Sequence, residues 1–172
     1  MMNKLILYVW VVLLSCSCMA AKPTRVVTDF NQNWKFSLND TKVAGEQVSL
    51  DDSQWRVLRL PHDWSIESDF QEKAPATPGG GALQGGLGWY RKTFTVEKNM
   101  TGKMVFVEFD GVYHRSEVWI NGISLGKRPN GYISFRYDLT PHIRFGAENV
   151  IAVKVDNSQQ PNSRWYSGSG IY

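Results

Sequence analysis

Ser116-Glu117-Val118-Trp119-Ile120, then Asn121-Gly122, then Ile123-Ser124-Leu125: the reading of this stretch decides the fold class. Two runs of β-forming residues flank an Asn-Gly pair. A type I′ hairpin turn needs positive φ at both central positions, which this dipeptide tolerates, so the stretch predicts a β-hairpin. Toward the N-terminus, Met104-Val105-Phe106-Val107-Glu108-Phe109 is apolar enough for a central strand. Tyr90-Arg91-Lys92-Thr93-Phe94-Thr95-Val96 is rich in β-formers, and Trp34-Lys35-Phe36-Ser37-Leu38 alternates as a half-buried strand does. Toward the C-terminus, residues 133–137 and 150–155 complete the set. In the latter, Ile151, Val153 and Val155 point one way and Lys154 the other. Short strands with Gly and Pro between them predict an all-β fold, a β-sandwich. Helical signal is confined to one turn, Asp138-Leu139-Thr140-Pro141-His142-Ile143, with Thr140 as cap and Pro141 at its first position. Residues 65–88 form one long irregular stretch with Pro75, Pro78 and six glycines, a length that points to a functional or mobile loop.

The length of 172 residues suits one domain behind a leader. Lys4 precedes an apolar run over residues 5–14 that is too short to span a bilayer, so residues 1–21 read as a signal peptide. Leu13-Leu14-Ser15-Cys16 resembles a lipobox, in which Cys16 would be lipidated and tether an exported protein to a bacterial membrane, in the periplasm or at the outer membrane. Ordinary cleavage near Ala20 or Ala21, giving a secreted protein, is the alternative. The two cysteines, Cys16 and Cys18, both lie at this end, so residues 22–172 are expected to rest on their core rather than on disulfides. A formal charge of +3 with no basic run gives no footprint for nucleic acid.

Several chemistries are disfavoured. A P-loop needs Gly-Lys-Ser or Gly-Lys-Thr opening a helix, whereas Gly88 here opens a strand-like run. His62, His114 and His142 are far apart and none has metal-ligand spacing, so no metal or other cofactor is expected. There is no Gly-x-Ser-x-Gly elbow. Three segments point toward carbohydrate: Leu60-Pro61-His62-Asp63-Trp64-Ser65-Ile66-Glu67, Gly86-Leu87-Gly88-Trp89-Tyr90-Arg91-Lys92-Thr93-Phe94, and Asn162-Ser163-Arg164-Trp165-Tyr166-Ser167-Gly168-Ser169-Gly170-Ile171-Tyr172. Aromatic faces meet sugar C–H surfaces, and charged groups meet hydroxyls. Trp64 beside Asp63 and Trp165 beside Arg164 supply both, although such pairs also occur in cores and salt bridges.

These segments, in this order, together with Phe109-Asp110-Gly111-Val112-Tyr113 and Val118-Trp119-Ile120-Asn121-Gly122, resemble the N-terminal sugar-binding domain of family 2 glycoside hydrolases. The likeness runs from Asp29 to Tyr172 and is nearest the β-galactosidase type, with β-glucuronidases and β-mannosidases related. It implies a jelly roll of the galactose-binding kind. Complete members add an immunoglobulin-like domain and a (β/α)₈ barrel that carries both catalytic glutamates, held roughly 5 Å apart for retention. On that comparison the chain is an N-terminal fragment, inactive alone, of an enzyme acting on β-galactosides or related glycans.

The resemblance makes His62, Asp63, Trp64, Arg164 and Trp165 the candidate substrate-binding residues. For His62 and Asp63 the competing reading is a buried pair that anchors the loop; for Arg164 it is a salt bridge. Trp34 and Trp119 are expected in the core, and Asn121-Gly122 as a turn alone. The rival function is a free-standing lectin-like module, since jelly rolls also bind sugars without hydrolysis.

Overall fold

The computed structural model describes residues 25–40, 42–74, 82–159 and 168–172. The chain divides into two units, Met1–Phe30 and Asn31–Tyr172. In the first, residues 25–30 carry no strand or helix. The second holds strands β1 (Trp34–Leu38), β2 (Arg56–Leu58), β3 (His62–Asp63), β4 (Gly86–Thr95), β5 (Phe106–Phe109), β6 (Val112–Tyr113), β7 (Ser116–Ile120), β8 (Ile123–Arg128), β9 (Phe135–Asp138), β10 (Glu148–Asn157) and β11 (Gly170–Ile171). One sheet has six strands in the order β2-β1-β4-β10-β7-β8. A three-stranded sheet, β3-β11-β6, and a two-stranded one, β5-β9, complete the sandwich. Every pairing between these strands is antiparallel. This is the expected all-β jelly roll.

Strand alternation builds the core. One register row crosses four strands through Phe36, Tyr90, Val153 and Val118, and all four are buried. Val107, Phe109, Val112, Phe135 and Ile171 of the smaller sheets are buried too. Each large side chain so placed contributes about 1.5–3 kcal/mol by leaving water.

The outward face of the large sheet is also partly covered, which the sequence did not predict. Arg91, 2% exposed, lies there under residues 42–55. It donates to Asp52 Oδ2 at 2.8 Å, to the Gln47 carbonyl at 2.9 Å and to the Gly45 carbonyl. Lys35 also pairs with Asp52. Burial opposes ionisation of Asp52, but Arg91 and Lys35 outweigh it and hold its pKa below the usual value. Gly45 packs on the Trp89 ring, where a Cβ would collide.

The hairpin forms as read. Asn121 and Gly122 have φ of 51° and 83°, and β7 pairs with β8. Asn121 does more than turn the chain. Its Nδ2 donates to Asn149 Oδ1 at 2.8 Å and to the His142 carbonyl at 2.9 Å, while its Oδ1 accepts from Val150 N at 3.0 Å. Trp34 is in the core as expected. Trp119 is half-buried on the opposite face of β7 from the buried Val118 and Ile120, and packs on Trp89 at 5.3 Å.

Other elements shift. Residues 139–143 make a hydrogen-bonded turn instead of helix, closed by His142 N to Leu139 O at 2.9 Å. Asp138, not Thr140, caps it through the Thr140 amide, because Thr140 Oγ1 accepts from Val105 N. The stretch expected to be irregular over 65–88 begins within a 3₁₀ turn, Trp64–Glu67, and ends inside β4.

Candidate functional site

His62 follows Pro61, whose preceding peptide bond is cis, and enters β3. Its backbone pairs with Ile171, and its ring meets Phe36 edge-on at 4.7 Å. Nδ1 lies 2.7 Å from the Tyr90 hydroxyl and Nε2 lies 2.9 Å from Arg56 Nη2. An arginine can only donate, so this contact needs the Nε2 lone pair and places the proton on Nδ1. Glu67 holds Arg56 at 2.7 Å and approaches Nε2 at 3.3 Å. Burial lowers the His62 pKa against the pull of Glu67, so the ring is neutral near pH 7. Burial pushes the Tyr90 phenol far up, so it keeps its proton.

Asp63 serves a different partner. Its Oδ1 accepts from Ser65 N at 2.9 Å, capping the 3₁₀ turn, and from Ser169 N at 2.8 Å. Ser169, 1% exposed, has every polar atom engaged. Its carbonyl accepts from Trp64 N at 3.0 Å. Its hydroxyl meets Ser65 Oγ at 2.6 Å and Asn157 Nδ2 at 2.6 Å. Asn157 Nδ2 also reaches the Gly168 carbonyl at 3.1 Å. The neighbouring glycines are required. A Cβ on Gly168 would sit 2.8 Å from Asp63 Oδ2. Gly170, at φ +150°, would drive a Cβ into the His62 carbonyl.

The structure therefore brings His62, Asp63, Asn157 and Ser169 to one end of the sandwich, where β3 meets β11 and β10 finishes. His62 and Asp63 each anchor that region, but to different partners rather than to each other. Trp64 takes a place that differs from its expected sugar-facing role. It is 2% exposed, its ring stacks on Phe36 at 5.7 Å, and its Nε1 donates to the Gly85 carbonyl at 3.3 Å. With the ring inside the core, no face of it is left for a sugar. Arg164, Trp165 and Cys16 lie outside the described residues.

The sequence shows His114 as a lone histidine without metal-ligand spacing and assigns it no role. It is half-buried, between Tyr113, to which it is joined by a cis peptide bond, and Arg115 at φ 44°. Its carbonyl accepts from Asp156 N at 3.0 Å, beside Asn157. Its Nε2 is shut off from solvent and meets no hydrogen-bond partner among the described residues. Burial, then the Arg115 charge, lowers its pKa. A buried orphan nitrogen is uncommon in folded proteins and marks a place that a water or a polar group completes. A lone histidine between strands has no spacing signal that could have announced it. Among the described residues, no three His, Cys, Asp or Glu side chains gather as a metal would require.

Comparison with known proteins bears on this arrangement. A model of the family described as glycosyl hydrolases family 2, sugar binding domain, matches residues 27–172. The β-galactosidase BoGH2A of Bacteroides ovatus is 58% identical over 158 residues, which is 92% of this chain and 18% of that protein. A putative β-glucuronidase of Formosa agariphila is 51% identical over 86% of this chain and 14% of its own length. The solved structure of a β-glycosidase from Bacteroides vulgatus superposes with a TM-score of 0.79 at 53% identity, over 84% of this chain and 19% of that one. The chain thus spans less than a fifth of the length of these relatives. By its fold, its ordered motifs and this match, it belongs to glycoside hydrolase family 2, as the sugar-binding domain found at the N-terminal end of those enzymes.

Proposed function

We propose that this chain is the sugar-facing N-terminal domain of an exported β-glycosidase that removes terminal β-galactosyl residues from glycans. One observation carries the reading: a sugar-binding-domain match over nearly the whole chain, at 58% identity to a β-galactosidase five times its length. The choice of galactose over glucuronic acid rests on that relative, since the next is named a putative β-glucuronidase. Hydrolysis belongs to the rest of such a polypeptide, and no catalytic residue is assigned here. The described geometry supports a positioning role. Asp63, Ser65, Asn157 and Ser169 tie together the two ends of the segment that carries Arg164 and Trp165, and these two residues are the proposed sugar contacts.

The first 21 residues direct export, and a multiply acylated Cys16 tethers the protein to a membrane, where a single acyl chain would bind only marginally. Cys16→Ala should then move the protein to the soluble fraction; unchanged fractionation argues against the tether.

The sugar assignment is tested in the full-length polypeptide with nitrophenyl β-galactoside and β-glucuronide. Arg164→Ala should lower kcat/KM for the galactoside by about 2 kcal/mol, roughly thirtyfold, as for a lost charged hydrogen bond. Unchanged kinetics removes Arg164 from the subsite, and faster turnover of the glucuronide overturns the choice of sugar. The 172-residue chain alone should turn over neither substrate.

A further inference from the structure

The outward face of the six-stranded sheet carries a cluster that neither the core nor the sugar-facing loops use. Alternation along β7 sends Val118 and Ile120 inward and Glu117 and Trp119 outward. Register then sets Ser124 of β8 and Ala152 of β10 on either side of Trp119, and Lys154 of β10 and Lys127 of β8 on either side of Glu117. The Trp119 ring is braced at 5.3 Å and 38° against Trp89, which is itself held under Gly45. Residues 42–55 cover Trp89 and Arg91. Trp119, Glu117 and Lys154 remain half-buried and Ser124 exposed.

The polar groups around this ring have capacity to spare. Glu117 and Lys154 are direct cross-strand partners of opposite charge, yet no ion pair within 4.0 Å joins them among the described residues. Lys154 Nζ lies 5.9 Å from the centre of the Trp89 ring instead. Among the described residues Glu117 makes long contacts, to Ser124 Oγ at 3.3 Å and to Lys127 Nζ at 3.4 Å. A rigid indole flanked by a carboxylate, a hydroxyl and an ammonium matches the two surfaces of a neutral sugar. The C–H face packs on the ring, and the hydroxyls donate to the carboxylate and accept from the ammonium. Lys127 is paired with Glu117 at 3.4 Å, which leaves Lys154 as the ammonium open to a ligand's hydroxyls.

We infer that this face is a second saccharide-binding platform, with Trp119 as its floor and Glu117, Ser124 and Lys154 as its hydrogen-bonding groups. It takes an oligosaccharide chain. It lies on the other side of the sheet from Phe36, Tyr90 and the His62 cluster, so it is independent of the proposed galactosyl site and holds or fails separately from it. In a longer enzyme it would keep a glycan chain near the protein surface between cleavage events.

The test uses the indole N–H resonances of the chain in a two-dimensional NMR titration with galactotetraose. A saturable shift of the Trp119 indole is expected, with affinity on the order of millimolar, and Trp119→Ala should abolish the binding. Should that variant lose its fold, Glu117→Gln and Lys154→Met keep the test decisive, because both alter only the rim of the platform. Each should weaken binding about threefold. A Trp119 indole that stays still while galactotetraose saturates other resonances, or that shows no shift at all, overturns the inference. So does binding that both rim variants leave unaltered.

Discussion

The amide of Ser169 donates to Asp63 Oδ1 at 2.8 Å, across 106 residues of sequence. This bond joins β3 and the 3₁₀ turn to the residue that enters β11. Asp63 is thus an anchor whose removal leaves two backbone donors, Ser65 N and Ser169 N, without an acceptor.

Asp63→Ala should destabilise the chain by about 2–4 kcal/mol, from two lost bonds whose donors both belong to buried residues. Asp63→Asn keeps an accepting oxygen and should retain most of the stability. Urea unfolding of the three proteins decides it. Equal losses in both variants would mean that charge, rather than acceptance of these two amides, is what matters.

The Arg91 to Asp52 pair fastens residues 42–55 over the sheet. Arg91→Ala leaves the Gly45 and Gln47 carbonyls without their donor while Lys35 still pairs with Asp52, so it should cost about 1–3 kcal/mol. The double variant Arg91→Ala with Asp52→Ala should cost clearly less than the sum of the single changes. Additive losses in denaturant melts would show that the two groups act separately.

His62 and His114 share one pH signature. Burial holds both pKa values below the ordinary 6.5. The unfolded chain therefore takes up protons first as pH falls. Stability should be full above about pH 6.5, decline as pH drops through that value, and level off below the folded-state pKa values. Melting temperatures taken between about pH 8 and pH 5 should show this, and His62→Gln should flatten the slope. A slope unchanged in that variant would assign the effect to other groups.

Asn121 separates turn chemistry from network chemistry. Glycine suits its positive φ better, so a residue needed only for the turn would tolerate Asn121→Gly at no cost. The bonds to Asn149, His142 and Val150 predict a loss of about 1–3 kcal/mol instead. Chemical denaturation gives the sign directly.

Local rules carried the fold a long way. The Asn121-Gly122 turn, the alternation in β1 and the inward Ile151, Val153 and Val155 are consequences of backbone sterics and burial that act over a few residues, so they are legible in the chain. The segments containing Asp63, Trp89 and Ser169 were legible as family motifs, though not for what each residue does. Trp64 and Trp119 show the limit. The sequence points Trp64 toward sugar and Trp119 into the core, but Trp64 is stacked on Phe36 inside the sandwich and Trp119 stands outward on Trp89.

The sequence by itself determined that the chain is an all-β sandwich, because period-two patterning and turn chemistry are local properties; the jelly roll and the sugar-binding role are what its resemblance to family 2 glycoside hydrolases implies. Only the tertiary structure decided which polar groups share partners: Asp63 with Ser169, Arg91 with Asp52, and His114 Nε2 with none among the described residues. Those outcomes depend on strand order and register between segments 39 to 106 residues apart, and hydrogen-bond geometry at that range is set by packing of the whole sandwich rather than by any single stretch of residues.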